Sequence, residues 1–423
     1  MIKINSLIKN AALLGISCFL AYAACYMGRN ILSTMLPQMI SNNIYGRDSL
    51  ATMGSAFFIT YGLGQLINGF MGNKISAKYM VFTGLLTTGI LISLFPLFYS
   101  YSLAYILWAV CGFMCSMLWG PLSKLVGENS TAEVGRIILT LLTIASILGT
   151  GVTYFLAILS TVKGSWRLGF FLTGVLLIII SVIWVLANTY MENKGIIKKN
   201  ALPDITNKPG GNLRYLFSNG FAAMTAVTML NGIIRNAVIF WVPLFISERF
   251  HVSAAAAAGL SSILPFINLG GTLVTLYIVK LLKNDEKLML AILFAFSTLM
   301  FVSMYLSNGR GMLLNLAALF SASAAMTGAC NMIFSFYIIR FSDTGKISGI
   351  TGFLDFSAYV SASAASILFS SLISDFGWNL IVGIWAATTF LGIVFSLLAK
   401  KTSHEFTSRQ NLSKPDISRQ AKT

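Results

Sequence analysis

AALLGISCFLAYAACYMGRNILSTMLPQ, residues 11–38, is apolar over the length of a bilayer except for one charge, Arg29. A helix needs about 20 mostly apolar residues to cross the hydrocarbon layer, so the stretch reads as a membrane span with a cation inside it. A guanidinium does not shed its charge. One placed at the bilayer centre costs about 2.5–3.5 kcal/mol even on the lenient insertion scale. The arrangement returns in the second half of the chain: Arg29-Asn30 has Pro37 eight residues after the arginine, and Arg235-Asn236 has Pro243 eight residues after. Two such charges in matching register point to a paired anion site on an internal axis.

Working outward, the composition sets the broad class. Hydrophobic residues make up 56% and charged residues 10%, mean hydropathy is +0.79, and a soluble domain carries about 25% charged residues. Twelve apolar runs of helical length follow one another, at about 11–38, 50–72, 79–99, 102–125, 136–161, 167–190, 214–247, 254–282, 288–306, 311–340, 347–374 and 378–399. They lack period-two alternation, so helices fit them and a β-barrel does not. The fold class expected is an all-α polytopic membrane protein.

The net charge of +16 is a topology signal. With twelve spans both termini lie on one side, and that side collects 22 basic residues against five (Arg47, Lys163, Arg167, Arg249 and Arg310) on the other, with Arg29 and Arg235 left in the membrane. Basic loops stay cytoplasmic, which predicts cytoplasmic termini in a multi-pass inner (plasma) membrane protein whose surroundings are the lipid bilayer, with no nucleic-acid partner. Lys3 and Lys9 before an apolar run with Ala21-Tyr22-Ala23 have the ingredients of a secretory signal. The run continues to about Leu36 and an odd span count would reverse the basic loops, so an uncleaved first helix is expected. Cys18, Cys25, Cys111, Cys115 and Cys330 fall inside predicted spans, and the histidines are His251 and His404. This set has no metal-ligand spacing, and the cysteines read as small packing residues. No Walker motif, cofactor motif or Ser/His/Asp set is visible. The expectation is a non-enzyme without cofactor or metal.

One long polar interior stretch, ENKGIIKKNALPDITNKPGGN from Glu192 to Asn212, reads as a flexible connection. The expected organisation is an N-terminal six-helix bundle over 1–191, a cytoplasmic linker over 192–213, a C-terminal six-helix bundle over 214–400 and a cytoplasmic tail over 401–423. The halves echo each other: Gly54 and Gly64 match Gly259 and Gly270, Lys74 matches Lys280, and Gly135-Arg136 matches Gly345-Lys346. A parallel repeat of this kind places its substrate between the halves near the midplane. Taken singly, either arginine could instead snorkel to the interface; their symmetry favours a shared site. The small residues Ala254–Ala258, and the glycines at 62, 64, 69, 72, 149 and 151, read as helix contacts. Trp119-Gly120-Pro121 reads as a helix break near the cytoplasmic end of the fourth span.

At these residues the chain resembles the organophosphate:phosphate antiporters of the major facilitator superfamily. The resemblance rests on Ala21-Tyr22-Ala23-Ala24-Cys25-Tyr26-Met27-Gly28-Arg29-Asn30, on Trp119-Gly120-Pro121-Leu122-Ser123-Lys124, on Arg235-Asn236 through Trp241-Val242-Pro243, and on Ser348-Gly349-Ile350-Thr351-Gly352-Phe353 through Tyr359 to Asp375-Phe376-Gly377-Trp378. The loop Gly69 to Lys78 is similar to the superfamily's basic loop, with Asn73 where aspartate is usual and Ser76 where glycine is usual. The resemblance implies the major facilitator fold, substrate-phosphate arginines at Arg29 and Arg235, and pore tyrosines at Tyr22, Tyr26 and Tyr359. Two positions depart from the glycerol-3-phosphate members: Ser146 replaces a histidine and Gln65 a lysine. Both can still donate hydrogen bonds to sugar hydroxyls, or simply pack.

Asp355 is a further departure, one helical turn before Tyr359 and on the same face. An intramembrane carboxylate is a functional candidate by default; it could pair with an arginine, hold a proton, bind a substrate amine, or tie two helices together. The expected activity is alternating-access transport of a small organic anion, a sugar phosphate or glycerol phosphate, in exchange for inorganic phosphate, by a monomer. The alternatives are a proton-coupled transporter of another anion, zwitterion or drug using Asp355, and a transporter-like sensor of sugar phosphate.

Overall fold

The structure is a computed structural model that describes residues 2–71, 75–98, 100–198, 220–283, 285–338 and 347–399. Eleven helical stretches are long and apolar enough to cross a membrane, from Lys9–Ser41 to Ile350–Leu398. The last is two spans in one, because Gly377 takes φ 73° and ψ −178° and breaks the helix. The left-handed φ is open to glycine without steric cost. The twelve expected spans are therefore present, and their two sets of six pack as two bundles. One face of the molecule, the terminal face, carries the start of the first span; the opposite one is the distal face.

Several sequence signals take a definite structural form. The fourth span, Tyr101–Asn129, is interrupted between Cys115 and Trp119, and Trp119-Gly120-Pro121 opens the second helix. Proline here lies in the first turn, where a missing N–H does no harm. The eighth span, Ala254–Leu281, begins with Ala254–Ser261, whose N-cap Ser253 accepts from the Ala256 N–H. This alanine segment packs against the fifth span, and the remainder of the eighth touches that span only lightly. The sixth span runs to Asn193, into the segment read as linker, and Glu192 is tied by a 2.7 Å ion pair to Lys78 at the start of the third. Residues 199–219, 339–346 and 400–423, with Gly72, Asn73 and Lys74, lie outside the described residues.

The two bundles meet along three helix pairs: first with seventh, second with eleventh, and fifth with eighth. Lipid supplies no hydrophobic drive for helix association, so small residues and polar bonds carry it. Ser55 and Ser363 join the second and eleventh spans hydroxyl to hydroxyl. Ser33 on the first span donates to the carbonyls of Phe240 at 2.8 Å and Ile239 at 3.0 Å on the seventh. The reason lies four residues on: Pro243 has no N–H, which leaves the Ile239 carbonyl without its helical donor.

Close approach separates the two glycines of the fifth span. A Cβ on Gly149 would collide with the backbone of Ala23, whereas one on Gly151 would meet nothing within 4 Å. Overpacking of this kind costs about 1–3 kcal/mol. Gly149→Val is expected to lower the thermal midpoint of the purified protein in detergent, and Gly151→Val to leave it within error.

Candidate functional site

Arg235 stands at the midpoint of its helix, fourteen residues from each end of Phe221–Arg249. Arg29 lies twelve residues from the distal end of its own, at Ser41. At about 1.5 Å per residue, neither side chain reaches an interface by snorkelling. Both are half-buried, and they are within electrostatic reach of each other.

The surroundings of Arg29 come from both bundles. Its guanidinium carbon lies 5.0 Å from the ring centre of Tyr61, 5.2 Å from that of Tyr359 and 5.5 Å from that of Tyr26. Aromatic faces at this range attract a cation, by about 2 kcal/mol when desolvated. The three rings thus offset part of the cost of holding the charge in the membrane. Arg29 Nη2 also donates to Asn236 Oδ1 at 3.3 Å, across the bundle interface. Tyr26 and Tyr359 were expected at the site. Tyr61 and Asn236 were not, although Tyr61 is one turn before Gln65 and Asn236 follows Arg235 directly. Tyr22 sits one turn below Tyr26, buried, its ring 5.2 Å from that of Tyr26 and 5.3 Å from that of Trp119. It supports the cage from behind.

Arg235 is less satisfied. Its Nε is buried without a hydrogen-bond partner, as is the Nδ2 of Asn236 beside it. Both are donors, and a buried unpaired donor costs about 1–3 kcal/mol. Two unpaired donors next to a second cation are what an acceptor with negative charge satisfies. Asp355 is half-buried and lies within electrostatic reach of Arg235 first and Arg29 second. Among the described residues no ion pair within 4.0 Å joins it to either. Gln65 is half-buried on the second span, one turn beyond Tyr61. Ser146 is half-buried on the fifth and returns its hydroxyl to the Thr143 carbonyl of its own helix at 2.7 Å. Its oxygen stays able to accept.

The site is shut on the distal side. Between Arg29 and that face lies a cavity of about 20 Å³, bounded by Ser33, Gly54, Phe58, Trp108, Asn236 and Phe240. That is room for about one water. Farther out the bundles are latched. Arg47, at the start of the second span, pairs with Glu248 at the end of the seventh and reaches Ser374 at 3.3 Å. Trp378 Nε1 donates to Glu248 at 2.8 Å, and Ser370 donates to Asp48 at 2.7 Å. Beside the latch a recess of about 410 Å³, lined by Gln38, Ser41, Asn42, Thr161 and Ser247 among others, opens between the first, fifth, seventh and eighth spans.

Known proteins share this architecture. A family model described as Major Facilitator Superfamily matches residues 18–363. The membrane sensor protein UhpC of Salmonella typhimurium is 23% identical over 410 residues, covering 90% of this chain and 87% of that protein. The glycerol-3-phosphate transporter of Bacillus subtilis is 22% identical over 415 residues, covering 92% and 91%. Among solved structures, the xylose transporter XylE from E. coli matches with a TM-score of 0.69 at 14% identity, over 93% of this chain and 99% of that one. The likeness to XylE is one of fold.

The latch has a measurable consequence. Its ion pair is partly solvated, and such a pair is worth on the order of 1 kcal/mol, a factor of about five in a two-state equilibrium. Glu248→Gln is expected to raise distal opening by about that factor. Gln38, 5% exposed in the recess, can report it: in a Gln38→Cys background, labelling by a membrane-impermeant maleimide from the distal side should accelerate about five-fold. Unchanged labelling would mean that the latch does not hold the face shut.

Proposed function

This chain belongs to the Major Facilitator Superfamily, and we propose that it carries a phosphate monoester of a sugar or of glycerol through the membrane by alternating access, with Arg29 and Arg235 holding the phosphate. The observation that carries this reading is the pair of guanidinium groups itself. They come from corresponding helices of the two bundles, sit half-accessible in the middle of the membrane, and include a buried Nε–H on Arg235 with no partner. A guanidinium offers five donors in a rigid fork that meets phosphate oxygens two at a time. One arginine on each bundle lets a single anion bridge the two. The names borne by the relatives of this chain, among them a glycerol-3-phosphate transporter, support a phosphate ester over other anions.

The coupling follows from charge. With the site empty, Arg29 and Arg235 repel each other, which opposes closing the bundles around a dehydrated cavity. A bound phosphate removes the repulsion, so closure is favoured when the closed state holds the anion better than either open state. Inorganic phosphate meets the same requirement as the ester and serves as the return passenger. On this reading Tyr26, Tyr61 and Tyr359 hold Arg29 in place, Tyr22 backs them, and Gln65 and Ser146 face the organic part of the substrate. The first six spans, through Asn193, and the last six act as the two moving bodies. The terminal face is cytoplasmic in an inner (plasma) membrane, and the working unit is a monomer.

Proteoliposomes loaded with inorganic phosphate test the proposal. Labelled hexose or glycerol phosphate should enter only when phosphate is inside. Arg29→Lys and Arg235→Lys keep the charge but lose the fork. Each is expected to lower uptake about 10- to 100-fold, the worth of a charge-assisted hydrogen bond. Uptake of a phosphate ester undiminished in both variants would overturn the arginine assignment. Specific binding with no flux under any gradient would favour a sensor, the role named for UhpC, over a carrier.

A further inference from the structure

We propose that Asp355 is a specificity-determining residue that receives a positively charged group on the substrate, so that the preferred ligand is an amino-bearing phosphate monoester such as a hexosamine phosphate; this rests on the phosphate reading of Arg29 and Arg235. The argument begins with position. Asp355 lies one turn before Tyr359, whose ring is 5.2 Å from the Arg29 guanidinium. The eleventh span starts at the terminal face, so the carboxylate is about 6 Å along the helix axis toward that face. This is the side away from the distal latch.

Partners come next. Among the described residues the Asp355 side chain forms no hydrogen bond and no ion pair within 4.0 Å, although it is half-buried inside a membrane span. An intramembrane carboxylate left in that condition is expensive. The arginines do not relieve it at contact range: Arg29 is committed to Asn236 and its three tyrosine rings. Charge balance then selects the ligand. Arg29, Arg235 and Asp355 sum to +1, and a phosphomonoester carries about −1.5 to −2 at neutral pH. A neutral sugar phosphate therefore leaves the closed site negative by about half a charge to one charge. An ammonium group on the same molecule brings the sum close to zero and gives the carboxylate its partner. A dehydrated site that must close is most stable near zero net charge.

Three ligands of matched size separate the outcomes: a hexosamine 6-phosphate, the corresponding hexose 6-phosphate, and the N-acetylated hexosamine 6-phosphate, which keeps the nitrogen but not its charge. Their affinities are measured by thermal shift and by competition on the full chain in detergent. The hexosamine phosphate is expected to bind about ten-fold or more tightly than the other two, as for a hydrogen bond between charged groups. Asp355→Asn should remove that preference while leaving hexose phosphate binding equal or stronger; Asp355→Glu should restore part of it. Equal binding of all three ligands by the wild type, or a preference that survives Asp355→Asn, would overturn the role of Asp355. The wild-type comparison needs no variant and stands even if the variants fold poorly. Failure of every phosphate ester to bind would instead overturn the phosphate reading, and this inference with it.

Discussion

Two permanent cations must be kept inside a bilayer, and much of this architecture answers that requirement. A guanidinium cannot be neutralised by losing its proton, so its charge has to be met by geometry. Arg29 is met by three aromatic faces and an amide oxygen, drawn from the first, second, seventh and eleventh spans. Arg235 keeps a buried donor without a partner. The first is met by the protein, and the second keeps a donor free. A site satisfied at both arginines would be more stable and would have less to gain from an anion.

The interface around the site follows from the same solvent. Water is absent, so burial of apolar surface between helices brings little, and the bundles are joined by polar bonds in unusual places. Ser33 serves a carbonyl that Pro243 leaves without a donor, and two serine hydroxyls meet across the second and eleventh spans. On the distal face the join becomes ionic, through Arg47 and Glu248, where solvent lowers the cost of separating charges. Such an ionic joint parts at low cost once water reaches it, which suits a protein whose bundles must part; beneath it the apolar contact of Phe58 on Phe240 has to separate as well.

Much was legible in the chain because a membrane simplifies the reading. Span count, helix type and the broken fourth span followed from hydropathy and from Trp119-Gly120-Pro121. The kink at Gly377 appears in sequence as the boundary between two apolar runs. The pairing of Arg29 with Arg235 came from repetition. Tyr61 was missed because it lies in an ordinary amphipathic register and shares no motif with Arg29. Asn236 was overlooked as a partner of Arg29 because the residues are 207 apart in sequence. Gly151 and Gly149 look alike in sequence, yet Gly151 faces open space; spacing alone cannot tell which of two glycines points at a neighbour.

By itself the sequence determined that this is a twelve-span helical membrane protein of two similar halves with a cation buried in each. Hydrocarbon length and the price of an intramembrane charge leave few other readings of such a chain. Only the tertiary structure decided which groups hold Arg29, which donor of Arg235 is left unpaired, and that Asp355 stands near both arginines without contact-range pairing to either. Those facts depend on helix rotation and on distances between helices distant in the chain. Hydropathy and motif spacing constrain neither.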